Sequence, residues 1–143
     1  MMVMFLTLIG YKYMKPLKAI VGIKEAAYRK NVSLILRKHN YRVFEVSEGS
    51  LIAKAFVVLR PSLVILGDEL SDSRGIDIAF FIKNLTKQDD YQIILYSNKQ
   101  QTELVKNVRA RFIDEFVKIG DIKQLNSIVE QFGQPLISKM EVV

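Results

Sequence analysis

From Leu17 onward, apolar runs of strand length alternate with longer stretches of helical period, and neither a linker nor an internal repeat interrupts them. That alternation constrains the fold more than any other feature, because successive strand and helix segments close most readily as a parallel sheet with crossover helices on its faces. "LKAIVGI" (17–23) is continuous and rich in β-branched residues, as a strand covered on both sides must be. "YRVFEV" (41–46) alternates and suits a place nearer the sheet edge. "SLVILG" (62–67), "YQIILY" (91–96) and "FIDEFVK" (112–118) supply three further strands. Helices are expected over residues 25–39, 50–60, 76–85 and 102–110, and along a final face of Ile122, Leu125, Ile128, Val129 and Phe132. Asn40 suits the end of the first helix because it tolerates a left-handed backbone, and Pro61 ends the second. Asp121 marks the start of the last helix, with Gly133 and Pro135 past its end. The polar stretch "DELSDSRG" (68–75) is a loop, and residues 72–74 within it read as a solvated turn.

Composition narrows the chemistry. A chain of 143 residues, half hydrophobic and a quarter charged, has the balance of one ordinary globular domain. The absence of cysteine excludes disulfides, thiolate metal sites and a cysteine nucleophile. A single histidine, His39, argues against a histidine metal cluster or a Ser-His-Asp triad; beside Arg37 and Lys38 it suits the negative end of a helix. The formal charge of +6 favours anionic partners in general, but the basic residues are scattered among acidic ones without a docking motif, so nucleic-acid binding is not expected. The N-terminal run "MMVMFLTLIG" (1–10) is too short to span a bilayer, follows no basic region and precedes no small-residue cleavage site, so neither a signal nor an anchor is expected. Residues 1–14 are an extension, or their apolar side chains cover a sheet edge or helix groove, within the chain or between two copies. The domain proper runs over 15–134, and 135–143 form a tail.

In an open parallel sheet the functional crevice lies beyond the carboxyl ends of the strands. The residues there are Ile23, Lys24 and Glu25; Gly67, Asp68, Glu69 and Leu70; Ser97 and Asn98; Lys118 and Ile119. Over residues 17–133 this frame resembles the receiver domain of two-component response regulators. "NYRVFEVSEG" is similar to the family's Gly-Tyr strand and acidic-Gly helix start, "RPSLVILGDELSDSRGID" to its Pro-Asp strand and loop ending in Asp-Gly, and "DEFVKIGDIKQL" to its segment around a Lys-Pro pair. The resemblance implies a flavodoxin-like (CheY-like), doubly wound α/β fold, with a five-stranded parallel sheet in the order 2-1-3-4-5 and helices on both faces. It also implies an acidic pair after strand one, a phosphoacceptor Asp after strand three, a hydroxyl after strand four and a lysine after strand five.

Counting from the family's fixed points puts the acidic pair on Ile23 and Lys24 (from Tyr41) and the phosphoacceptor on Gly67 (from Pro61 and, independently, from Gly75). Asp68 falls one residue late. Ser97 and Lys118 match the hydroxyl and the lysine, Glu115 stands at the switch aromatic, and Ile119 replaces the proline. Magnesium needs an octahedron of oxygen ligands, so Gly67, without a side chain, and Lys24, with a positive one, make a magnesium cofactor unexpected. Lys24 could instead serve as a fixed cation for Asp68 or Glu25. A one-residue shift turns a strand side chain to the opposite face, which disfavours Asp68 as a substitute acceptor unless a bulge re-aims it. Ser97 also fits a turn or helix cap.

The favoured expectation is a degenerate receiver, or pseudo-receiver: a cytoplasmic, non-enzymatic signalling module acting by protein contact. Its partners would be a histidine kinase, another signalling protein or a second copy, met through a face that includes Lys106, Arg109 and Arg111. One alternative is an atypical receiver phosphorylated on Asp68. Another is a small flavodoxin-like binder of an anionic ligand that uses Lys24, Lys118 and Ser97.

Overall fold

The computed structural model describes residues 17–87 and 90–132. The extension 1–14, the helix-ending Gly133 and Pro135, and the tail lie outside the described residues. Eleven segments follow in order: β1 (Lys18–Gly22), α1 (Ala26–Lys38), β2 (Arg42–Val46), α2 (Gly49–Leu59), β3 (Leu63–Gly67), α3 (Gly75–Leu85), β4 (Gln92–Ser97), a one-turn α4 (Gln101–Leu104), a 3-10 helix (Val108–Phe112), β5 (Glu115–Lys118) and α5 (Ile122–Phe132). The strands form one parallel sheet in the order β2-β1-β3-β4-β5, as expected.

The burial of each strand follows its sequence. β3 is buried at every position, whereas β2, at one edge, alternates exposed and half-buried residues until Val46. Side chains from successive strand positions go to opposite faces. Ile20, Val64, Leu66, Ile93 and Leu95 meet Ile52 and Phe56 of α2 and Ile78 and Ile82 of α3. Ala19, Val21, Ile65, Ile94 and Val117 meet Val32 and Leu36 of α1 and Leu125 and Val129 of α5 on the other face. Among the described residues, no helix is long and apolar enough to cross a membrane.

Helix ends conform to the expected chemistry at Asn40, at Pro61 and at Asp121, whose carboxylate accepts the Gln124 N–H at 3.0 Å just before α5, and depart from it elsewhere. Asn40 takes up a left-handed backbone (φ 66°) after α1, and Arg60 does the same (φ 50°) between α2 and Pro61. The fourth helix, expected as one piece over 102–110, is broken. Asn107 accepts a hydrogen bond from the Arg109 N–H at 2.9 Å and thereby opens a new 3-10 turn, which competes with helix continuation. The fifth strand accordingly begins at Glu115, three residues later than expected. Phe112 leaves the strand path to pack edge-on against Phe80, with centroids 5.4 Å apart. Asp114 bonds the Ile93 N–H through its side chain at 2.7 Å. Residues 72–74 are also no simple solvated turn. The Asp72 carboxylate accepts the backbone N–H of Gly49 at 2.6 Å and of Ser50 at 3.2 Å, and so caps α2 from a distant loop.

Candidate functional site at the carboxyl ends of the strands

The chain order reverses between β1 and β3, so the loops leaving those two strands diverge and open a crevice. Strand register fixes what stands there: Gly22 pairs with Leu66, Gly67 with Tyr96, and Ser97 with Lys118. Ile23, one residue past β1, donates its N–H to the Val46 carbonyl at 3.1 Å and buries its side chain. It lies directly beside Gly67: a Cβ built on Gly67 would meet Ile23 Cγ2 at 3.6 Å and its Cα at 3.7 Å, ordinary contact distances. The position thus has room for a side chain, and the one it would face is aliphatic. Gly75, in contrast, is obligatory, because a Cβ there would collide with the Gly67 carbonyl oxygen.

Two cavities divide the expected site residues. One, of about 430 Å³, is bordered by Ile23, Glu25, Gly67, Asp68, Glu69 and Ile119, among others. The second, of about 460 Å³, lies toward α5 and includes Ser97, Phe116, Lys118 and Gln124. Asn98 and Lys99 border both. The structure therefore brings Asp68 to the side of Gly67 and Ile23 but lines a different cavity with Ser97 and Lys118. The Ser97 hydroxyl is buried and accepts the Lys99 N–H at 3.0 Å, in keeping with the turn role open to it. Tyr96 helps to shape the first cavity, its hydroxyl accepting the N–H of Gly120 (φ 92°) at 2.9 Å and so holding the loop that carries Ile119.

Lys24 does not act as the expected fixed cation. It is exposed, borders neither cavity and, among the described residues, makes no ion pair with Asp68 or Glu25. The cation at this loop is Arg29, which the sequence reading missed. Its guanidinium donates to the carbonyls of Ile23 at 2.8 Å and Lys24 at 3.1 Å, fixing the β1–α1 connection from behind. Glu25, Asp68 and Glu69 border one cavity, yet among the described residues no three acidic, histidine or cysteine side chains group as a metal site. The residues present do not fit the magnesium ion that the fold resemblance implies.

On the expected partner face Lys106, Arg109 and Arg111 are all exposed. Arg109 is committed to α3, with Nη1 2.8 Å from Asp77 Oδ1 and its guanidinium 4.5 Å from the Phe80 ring centroid. Arg74 grips the same carboxylate at 2.8 Å. The hydrogen bond from Arg74, aided by Arg109, holds the Asp77 carboxyl below its ordinary range. Arg111 lies over Phe112, Lys106 is exposed, and Glu115 is half-buried opposite Ile94. His39 shares a hydrogen bond of 3.1 Å with Asn126 of α5, a structural contact between helices.

No protein-family model matches the chain, and no curated protein matches it. Solved structures do. A CheY-like response regulator receiver domain from Methylobacillus flagellatus superposes with a TM-score of 0.72 at 15% identity, covering 82% of this chain and 99% of that one. The response regulator TrrA from Thermotoga maritima, solved in complex with Mg2+ and BeF, gives 0.71 at 23% identity over 81% and 98% of the two chains. A receiver domain from Clostridium thermocellum gives 0.69 at 17% identity over 88% and 98%. The fold is that of receiver domains.

Proposed function

We propose that the chain is a pseudo-receiver of two-component (phosphorelay) signalling: a non-enzymatic module that works by protein contact and is not switched by an aspartyl phosphate at the usual position. The observation that carries this reading is the juxtaposition of Gly67 with Ile23. The strand-end position where the receiver fold would hold its phosphoacceptor has no side chain, and the neighbour it faces is a buried isoleucine. Among the described residues the carboxylates that border this cavity do not group as a metal site, and Gly67 itself offers no oxygen to ligate magnesium or to attack a phosphoryl donor. The partner would be a histidine kinase, another signalling protein or a second copy, engaged on the face that includes Lys106, Arg109 and Arg111. The test is incubation of the full chain with acetyl phosphate and magnesium, and separately with beryllofluoride, followed by intact mass and partner binding. The expected result is an unchanged mass and unchanged binding.

A second reading has an observation of its own. Asp68 is half-buried and borders the same cavity as Gly67, so its carboxylate is accessible from that crevice. An atypical receiver using Asp68 would gain the mass of one phosphoryl group and lose it in Asp68→Asn. Against it, Ser97 and Lys118, which would stabilise such a group, line the neighbouring cavity.

A further inference from the structure

The outer surface of α2 is apolar where a surface helix should be polar. Its sequence, GSLIAKAFVVL, gives Ile52, Ala55 and Phe56 to the core but leaves Leu51, Val57 and Val58 facing outward, with Val58 80% exposed. Beside it, α3 exposes Phe81 (50%) and Leu85 (43%). Between the two helices lies a groove of about 730 Å³ lined by Ala53, Lys54, Val57, Val58, Phe81 and Leu85, with Ser50 at one end. A contiguous apolar surface of this kind marks a place where something binds.

The chain supplies an occupant of matching chemistry. In residues 1–9, MMVMFLTLI, Thr7 is the single polar residue. The point where the described chain begins lies at the end of the groove: the Lys18 ammonium donates to the carbonyl of Leu59, the last residue of α2 and the neighbour of Val58, at 3.4 Å. Residues 10–16 connect the apolar run to Leu17, and seven residues reach at most about 23–25 Å when extended. The groove, followed along α2 from Ser50 to Val58, is only about 12 Å long. We propose that residues 1–9 lie in the groove between α2 and α3 of the same chain and cover its exposed valines and Phe81. The inference is independent of the signalling reading.

The absence of native cysteine allows a direct test in the full chain. Val58→Cys is expected to react slowly with a maleimide, and adding Phe5→Asp and Leu8→Asp is expected to speed the reaction at least about tenfold by releasing the cover. Leu34→Cys, on α1 at the opposite face of the sheet and 56% exposed, is expected to label equally in both backgrounds. As a second measurement, oxidation of Leu6→Cys/Phe81→Cys is expected to give an intramolecular disulfide at least about tenfold faster than Leu6→Cys/Leu34→Cys, which shares the tether but not the groove. Equal labelling of Val58→Cys in the two backgrounds, or equal disulfide formation by the two pairs, would overturn the proposal. So would a disulfide joining two copies, which would assign the groove to a second chain. Retention on anionic phospholipid vesicles that depends on Phe5 and Leu8, with Val58→Cys freely reactive in solution, would assign the segment to a lipid surface and overturn it as well.

Discussion

At the scale of single residues, two glycines carry the register, and they do so for opposite reasons. Gly75 is a glycine because its Cβ would strike the Gly67 carbonyl, so Gly75→Ala is expected to lower stability by about 1–3 kcal/mol, read as a shift in urea midpoint. Gly67 is under no such constraint, since its nearest would-be contacts are 3.6 Å away. Gly67→Asp is therefore expected to fold with a loss of no more than about 2 kcal/mol and still to gain no phosphoryl mass from acetyl phosphate and magnesium, because Ile23 and Lys24 offer no side-chain oxygen where the acidic pair would stand. A phosphorylated Gly67→Asp protein would show that the rest of the site is competent and would undermine the pseudo-receiver reading. The register was legible in the sequence because obligatory residues such as Gly75 sit at fixed chain distances from the strand. Which cavity Ser97, Lys118 and Asp68 each border was not, because it rests on contacts between residues far apart in the chain, such as the Gly120 N–H on the Tyr96 hydroxyl across 24 residues.

At the scale of elements, helices were legible where an apolar stripe fixed them and illegible where a polar side chain redirected the backbone. α5 carries its stripe from Ile122 to Phe132 and lies where its period predicts. The region after β4 has exposed Val105 and Val108 in place of a stripe, and Asn107 breaks it in two. What ties the 3-10 segment to α3 is the Arg109–Asp77 pair together with the Phe112 and Arg109 contacts on Phe80, while Arg74 holds the same carboxylate from the start of α3. Asp77→Ala is expected to cost about 1 kcal/mol or less, with the loss shrinking as salt is added, since these pairs are largely exposed. The cap of α2 by Asp72 is a second cross-element contact with a pH signature. The backbone N–H of Gly49 is the main cause holding the Asp72 carboxyl below its ordinary value, with Ser50 and Ser73 adding to it. A carboxylate whose folded-state pKa is depressed contributes stability above its unfolded-state pKa and loses it as pH falls through the folded-state value. The melting temperature of Asp72→Ala is therefore expected to lie below that of the parent at pH 7, and the difference to narrow on acidification below about pH 4. A gap that stays constant down to pH 2 would mean that the carboxylate charge is not what caps the helix.

At the scale of the whole molecule, one sheet separates two apolar cores, and the continuous apolar runs of β1, β3 and β4, which supply side chains to both, are the part of the fold most plainly written in the sequence. Both cores bury tyrosine, among them Tyr41 with α1 and α5 and Tyr91 with α2 and α3. Burial pushes both hydroxyls from the ordinary 10 up to about 12, and for Tyr91 the Asp114 carboxylate adds to the effect. The folded state therefore keeps protons that the unfolded chain has already released, so stability is full below about pH 10 and declines as pH rises through about 12. Tyr91 isolates the effect, because among the described residues its buried hydroxyl has no hydrogen-bond partner while its ring makes contacts a phenylalanine can keep. Those contacts are Phe56 edge-on at 4.8 Å and the Lys83 ammonium 4.2 Å from the ring centroid. Tyr91→Phe is expected to match the parent at pH 7 or exceed it by up to about 1 kcal/mol, since it removes an unsatisfied polar group. Between pH 7 and pH 11 the advantage is expected to grow, because only the parent has a buried phenol to ionise on unfolding at that site. Urea midpoints of the two proteins at both pH values measure this directly. An advantage that stays the same would mean that the Tyr91 hydroxyl is hydrated in the folded state and that the core between α2 and α3 is open to water at that point.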